Sequence, residues 1–272
     1  MRGPALSHFP ELGAGPEQAM RVDPSRTIRA WNATLPAMIS HRAQTIPIDI
    51  LALVTAALAF ASGRSPGDIR LARWLQAHPI PFADPLTDFT NDYLSGTPLT
   101  VAGIALATAL LAARRTEAAL LIVLATALRS TNSLLKALFD SPRPTPDLIH
   151  VTEQAPGPGF PSGHAMGALL LLGALASLLW TRAAPSGSPR GPWPRDAVRL
   201  LRRMATVVCV ALILLTGYGR IHTGAHWPSD VLGGYLWGTA LLALAIRVVG
   251  LVAGRPSPRG TRAARGWNGR HR

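Results

Sequence analysis

The sequence predicts an all-α integral membrane protein, a six-transmembrane-helix bundle with short extracytoplasmic interfacial helices. The first observation behind this is patterning. The chain of 272 residues is 48% hydrophobic and 15% charged, and its apolar residues gather in runs of about fifteen to twenty almost free of charge. Membrane-crossing helices read this way, and soluble cores do not. The second observation is the placement of charge. Of the 27 basic residues, 20 fall in segments 1–45, 114–115, 182–203 and 247–272. Six crossings put those segments on one side, and positive-inside makes that side the cytoplasm, with both termini in it.

The formal charge of +13 therefore speaks for topology, and no nucleic-acid partner is expected. A single cysteine, Cys209, lies inside an apolar run. It rules out a disulfide or thiolate metal site within one chain and suits a small buried hydrophobe. The sequence carries no signal of oligomeric state.

Taken in order, residues 1–45 are Pro- and Arg-rich, with no apolar stretch long enough for a cleaved signal. Ile28, Trp31, Leu35 and Ile39 share one helical face, so this cytoplasmic tail is either an interfacial helix or disordered. The membrane domain is expected over 46–251, beginning with a short span from Ile46 to Ala61. Residues 64–96 carry Pro and Gly together with two amphipathic stripes, Leu71, Trp74, Leu75 and Leu86, Phe89, Tyr93, which predict two helices lying on the membrane surface. Pro98–Ala113 makes the second span, and Arg114-Arg115 stops it.

The third span, Glu117–Phe139, is interrupted by Arg129, Ser130, Thr131, Asn132, Ser133 and Lys136. Cations inside a span are costly unless they face a polar cavity. Arg129 and Lys136 are seven apart and so expected on one face; Arg129 suits either the cavity or a carboxylate on a neighbouring helix. Asp140–Pro161 is a Pro/Gly-rich loop, and the fourth span is Ser162–Trp180. Arg182–Arg203 is a basic, aperiodic connection, followed by the fifth span, Met204–Tyr218, and the sixth, Ser229–Leu251. The tail at 252–272, rich in Arg, Gly and Pro, is expected to be cytoplasmic and disordered.

Three polar blocks meet at the extracytoplasmic end of these spans. The first is Lys136 with Arg143-Pro144, the second Pro161-Ser162-Gly163-His164, and the third Arg220, His226 and Asp230. Lys136 is the sole lysine in a chain whose other basic residues are Arg. Lys136, Arg143 and Arg220 offer cations to phosphate oxygens, two of them as planar forks. The Ser162 hydroxyl and the Gly163 N–H lie at a helix N-terminus, which favours an anion. His226 and Asp230, four apart, allow the carboxylate to orient the imidazole for attack on a phosphoryl group. Read singly, Ser229 and Asp230 equally suit a helix cap, Lys136 an interface anchor and His164 a helix-end polar residue. His222 belongs to no block and is expected to be a polar loop residue.

In order and spacing, the three blocks resemble the signature of the type-2 phosphatidic-acid phosphatase superfamily, which includes lipid phosphate phosphatases, bacterial acid phosphatases and vanadium haloperoxidases. The resemblance covers roughly 65–250, with one departure: Gly219 stands where the family usually has Ser before the Arg. It implies that His226 forms a phosphohistidine with its tautomer held by Asp230, and that His164 protonates the leaving oxygen and then activates water. It further implies a membrane-bound hydrolase acting on a phosphorylated lipid. Asp230, already assigned to His226, is the only carboxylate expected at the site, so no Mg²⁺ or Zn²⁺ and no cofactor is expected. Undecaprenyl pyrophosphate is the first expectation, beside phosphatidic acid, diacylglycerol pyrophosphate and phosphatidylglycerophosphate. A lipid phosphotransferase and a non-catalytic lipid transporter or binding protein are the alternatives.

Overall fold

The computed structural model describes residues 54–55, 66–81, 84–181 and 194–254. The expected N-terminal tail, nearly all of the first span and the C-terminal tail beyond residue 254 lie outside them. Every regular element among the described residues is helical: α1 Pro66–Ala77, α2 Asp84–Tyr93, α3 Gly96–Ala112, α4 Thr116–Ala127, a 3-10 turn Leu128–Ser130, α5 Thr131–Phe139, α6 Gly163–Thr181, α7 Arg195–His222 and α8 Pro228–Ala253. Three stretches are long and apolar enough to cross a membrane: Thr116–Phe139, Gly163–Trp180 and Pro228–Ala253. A fourth arises if α2 and α3, bent by 72° to one another, act as one broken unit. The run Met204–Tyr218, the expected fifth span, lies inside the 28-residue α7, which begins at Arg195 and so makes helical the last nine residues of the stretch expected as an aperiodic connection.

Local chemistry explains the ends. Proline opens α1 and α8, where a missing N–H costs nothing, and Asp68 and Asp230 sit in their positive first turns. The C-cap of α5 is Asp140 in the left-handed region (φ 40°), which Asp tolerates better than most residues.

The core runs between α3, α4, α6, α7 and α8 and includes Leu99, Ile122, Met166, Leu170, Ile213 and Val249. Small residues let α8 approach α6 closely. A side chain at Gly234 would lie 2.7 Å from the Ser162 carbonyl, and one at Gly238 3.3 Å from the Met166 carbonyl. Such close backbone contact between helices is how membrane bundles gain packing energy without a hydrophobic effect between them. A second, smaller cluster, Ala72, Ile149, Ala165, Ile221, Trp227 and Val231, ties α1 and the 140–161 loop to the ends of α6, α7 and α8.

Two expectations are corrected here. The 3-10 turn breaks the third span, so the seven-residue spacing of Arg129 and Lys136 does not follow one continuous helix. Arg129 turns to α3, donating to Thr100 Oγ1 at 2.9 Å and to the Gly96 carbonyl at 3.1 Å. Among the described residues it pairs with neither a site residue nor a carboxylate; it clamps the break in one helix to the start of another. His222, expected in a loop, is in the last turn of α7 and stacks on Tyr218 with ring centroids 5.3 Å apart.

Gly234→Val tests the α6–α8 contact, because the new side chain meets backbone that cannot rotate away. The expected cost is about 1–3 kcal/mol, read as a lower thermal midpoint of the detergent-solubilised protein. An unchanged midpoint would show that these helices are not in contact.

Candidate active site

The turn between α7 and α8 is built around Gly224, whose φ of +69° and contact with His150 O and Val151 Cα leave no room for a side chain. The Thr223 carbonyl there accepts from Thr152 N at 2.9 Å and Glu153 N at 3.2 Å, which fastens the 140–161 loop over the turn. His226 N donates to the Arg220 carbonyl at 3.0 Å and closes the turn. These backbone bonds set the imidazole before any side-chain contact is counted.

His226 is 2% exposed and Asp230 fully buried. Asp230 Oδ2 lies 3.2 Å from His226 Nδ1 and also accepts from Trp227 N at 3.0 Å. A carboxylate there makes Nδ1 the protonated nitrogen and leaves the lone pair on Nε2. Arg143 approaches that lone pair, with NH1 3.3 Å from Nε2. Burial first, then the charges of Arg143, Arg220 and Lys136, hold His226 well below the ordinary histidine range. The ring is thus neutral at neutral pH, with its free nitrogen turned to a cation.

Each cation is held by the protein itself. Arg143 donates through Nε to Gly157 O at 2.8 Å and through NH1 to Ala225 O at 2.7 Å. Burial lowers its pKa and Asp230 opposes that, so it stays a cation. Lys136 Nζ donates to the Pro158 carbonyl. Arg220, 1% exposed, pairs with Glu153. A recess of about 600 Å³ opens beside Arg143, Gly157 and Pro158.

From the second block, Ser162 donates its backbone N–H to the Asp230 carbonyl at 2.9 Å, while its fully buried Oγ has no partner among the described residues. Gly163 opens α6 against Asn132, whose Oδ1 would lie 2.9 Å from any added Cβ. His164 Nε2 is 3.3 Å from the Asn91 carbonyl of α2.

The eight residues expected from the sequence thus gather at one end of the bundle, and the fold adds others. The site was expected to hold Asp230 as its sole carboxylate; Glu153 is a second, and it sits in a Pro/Gly-rich loop with no spacing signal to mark it. Asp68 reaches from α1 to accept from Ser229 N at 3.0 Å and Oγ at 2.9 Å, capping α8 from outside. Gln76, also on α1, donates to His150 O at 2.7 Å and His222 O at 3.1 Å. Gly219 has a steric reason: an added Cβ would lie 3.1 Å from Thr87 Cβ, where α2 crosses α7.

A family model described as the PAP2 superfamily matches residues 116–252. An undecaprenyl-diphosphatase of Sulfolobus acidocaldarius is 28% identical over 89 residues, which are 33% of this chain and 32% of that protein. The match thus spans about a third of that relative's length. The solved structure of a transmembrane PAP2-type phosphatidylglycerolphosphate phosphatase from Bacillus subtilis aligns with a TM-score of 0.56, covering 73% of this chain and 93% of that one at 20% identity, a likeness of fold. With the family's match extending over half the chain and all three polar blocks gathered at one end of the bundle, the protein belongs to the PAP2 superfamily.

Proposed function

We propose that this protein hydrolyses a lipid phosphate or pyrophosphate through a phosphohistidine, without a metal, at the extracytoplasmic face of the cell membrane. The observation that carries this is His226: its Nδ1 is held by Asp230, and its Nε2 is left as a lone pair beside Arg143. In a phosphoryl group in flight, charge spreads over three equatorial oxygens, and catalysis rests on holding these and aligning a nucleophile. Lys136, Arg143, Arg220 and the Ser162 hydroxyl, with the Gly163 N–H, take the oxygens. His226 Nε2 bonds to phosphorus as the lipid oxygen departs with a proton from His164. His164 then takes a proton from water as that water releases phosphate from His226.

Undecaprenyl pyrophosphate is the favoured substrate, supported by the archaeal undecaprenyl-diphosphatase match. Phosphatidylglycerophosphate is the second, supported by the Bacillus subtilis neighbour's fold. Arginine placement supports the six-span topology with both termini in the cytoplasm and one domain over 46–251. Exposed Leu71, Trp74, Leu86, Phe89 and Tyr93 on α1 and α2 support helices at the membrane surface, where a headgroup enters while its tail stays in lipid.

Phosphate release from these two lipids and phosphatidic acid, measured in excess chelator, tests the reading. Wild type should turn over, and His226→Ala should fall by more than about 10³-fold. Activity lost in chelator and restored by Mg²⁺ overturns the metal-free mechanism; no release from any lipid by folded protein overturns the hydrolase. Asp230→Asn should cost kcat about 10²–10⁴-fold by freeing the tautomer. Since His226 lies well below 6.5, the acid limb of kcat/KM in the free enzyme should fall below that pH, as protonation fills Nε2 only there. An acid limb at 6.5 or above would contradict the buried, cation-surrounded imidazole.

A further inference from the structure

Arg220 enters the site already occupied. Both Glu153 oxygens lie on its NH1, Oε1 at 2.8 Å and Oε2 at 2.7 Å. A strong arginine–carboxylate pair uses two parallel N–H groups of the fork. Here one nitrogen carries both oxygens, and the buried Nε has no partner among the described residues. The pair is weaker than the fork allows, and a donor is left over.

The partners differ in exposure. Arg220 is 1% exposed and Glu153 40% exposed at the side chain. The Glu153 backbone is held through its N–H on the Thr223 carbonyl, so its side chain can swing into water without moving the loop. A tetrahedral phosphate has more oxygens than a carboxylate and can reach Nε as well. It displaces Glu153 from a cation that stays in place.

Release of product poses the opposite problem. When phosphate leaves His226, a multiply charged anion stands among Lys136, Arg143 and Arg220. Affinity that holds substrate and product alike slows turnover without lowering the barrier. We propose that Glu153 clears the site: its carboxylate competes with phosphate for Arg220, yields as substrate docks, and returns to help expel the phosphate product. This rests on the hydrolase reading above, and makes Glu153 a positioning residue that acts through Arg220.

The test is the inhibition constant of inorganic phosphate, with KM, for full-length wild type, Glu153→Gln and Glu153→Asp in detergent micelles, with lipid pyrophosphate as substrate. Removing a half-exposed competitor should lower both constants about fivefold in Glu153→Gln. Glu153→Asp keeps the charge but, one methylene shorter on a fixed backbone, loses its reach to Arg220 and should lower them likewise. A wild-type phosphate constant in Glu153→Asp would reduce Glu153 to a remote charge and overturn the proposal. Higher constants in Glu153→Gln would make the carboxylate a mere prop for Arg220 and overturn it equally. If wild type turns over and neither variant binds phosphate more tightly, this proposal alone falls. If wild type neither releases nor binds phosphate, the hydrolase reading falls and takes this one with it.

Discussion

Three cations drawn out of water, Lys136 and Arg143 half-buried and Arg220 fully buried, are the constraint on which this end of the bundle depends. A charge removed from water must find partners, and each of these finds them in the backbone or in a carboxylate. Lys136 takes the Pro158 carbonyl, Arg143 the carbonyls of Gly157 and Ala225, and Arg220 the Glu153 side chain. All but Ala225 of these partners belong to the 140–161 loop. The loop's course is therefore dictated by the cations it satisfies, which explains how a Pro/Gly-rich segment without regular structure is held in one place. The same partners hold the three cations in place at this end of the bundle.

The histidine is organised by a different principle. His226 could not be neutral and oriented on the surface, where water would satisfy either nitrogen. Burial and the surrounding charge remove the protonated form, and Asp230 selects which nitrogen keeps its hydrogen. Asp230 also accepts from the Trp227 backbone in the first turn of α8. Capping a helix and holding the His226 imidazole are thus the work of one carboxylate oxygen, not alternatives.

Support comes from elements remote in sequence. From α1, Asp68 caps α8, while Gln76 ties the loop to α7. From α2, Thr87 fills the space beside Gly219, and the Asn91 carbonyl meets His164. Both helices turn apolar side chains outward while their polar residues reach the site. Each helix thus has an exposed apolar face and a polar face packed against the residues of the site.

The sequence by itself determined the helical class, the bounds of the second, third, fourth and sixth runs to within a few residues, and the eight residues that gather at one end of the bundle. Those signals are local or periodic: apolar runs, a lone lysine, cations and histidines at set spacings. Only the tertiary structure decided the role of Arg129, because a single 3-10 turn rotates it toward Thr100 and Gly96 and away from Lys136. Only it revealed Glu153 on Arg220, 67 residues away, and Asp68 on Ser229, 161 residues away. An acidic residue in a loop carries no period and no motif, so its partner is set by how the chain folds back on itself. The glycine at 219 is of the same kind: its place in the chain shows a missing hydroxyl, and the crossing of α2 over α7 supplies the reason.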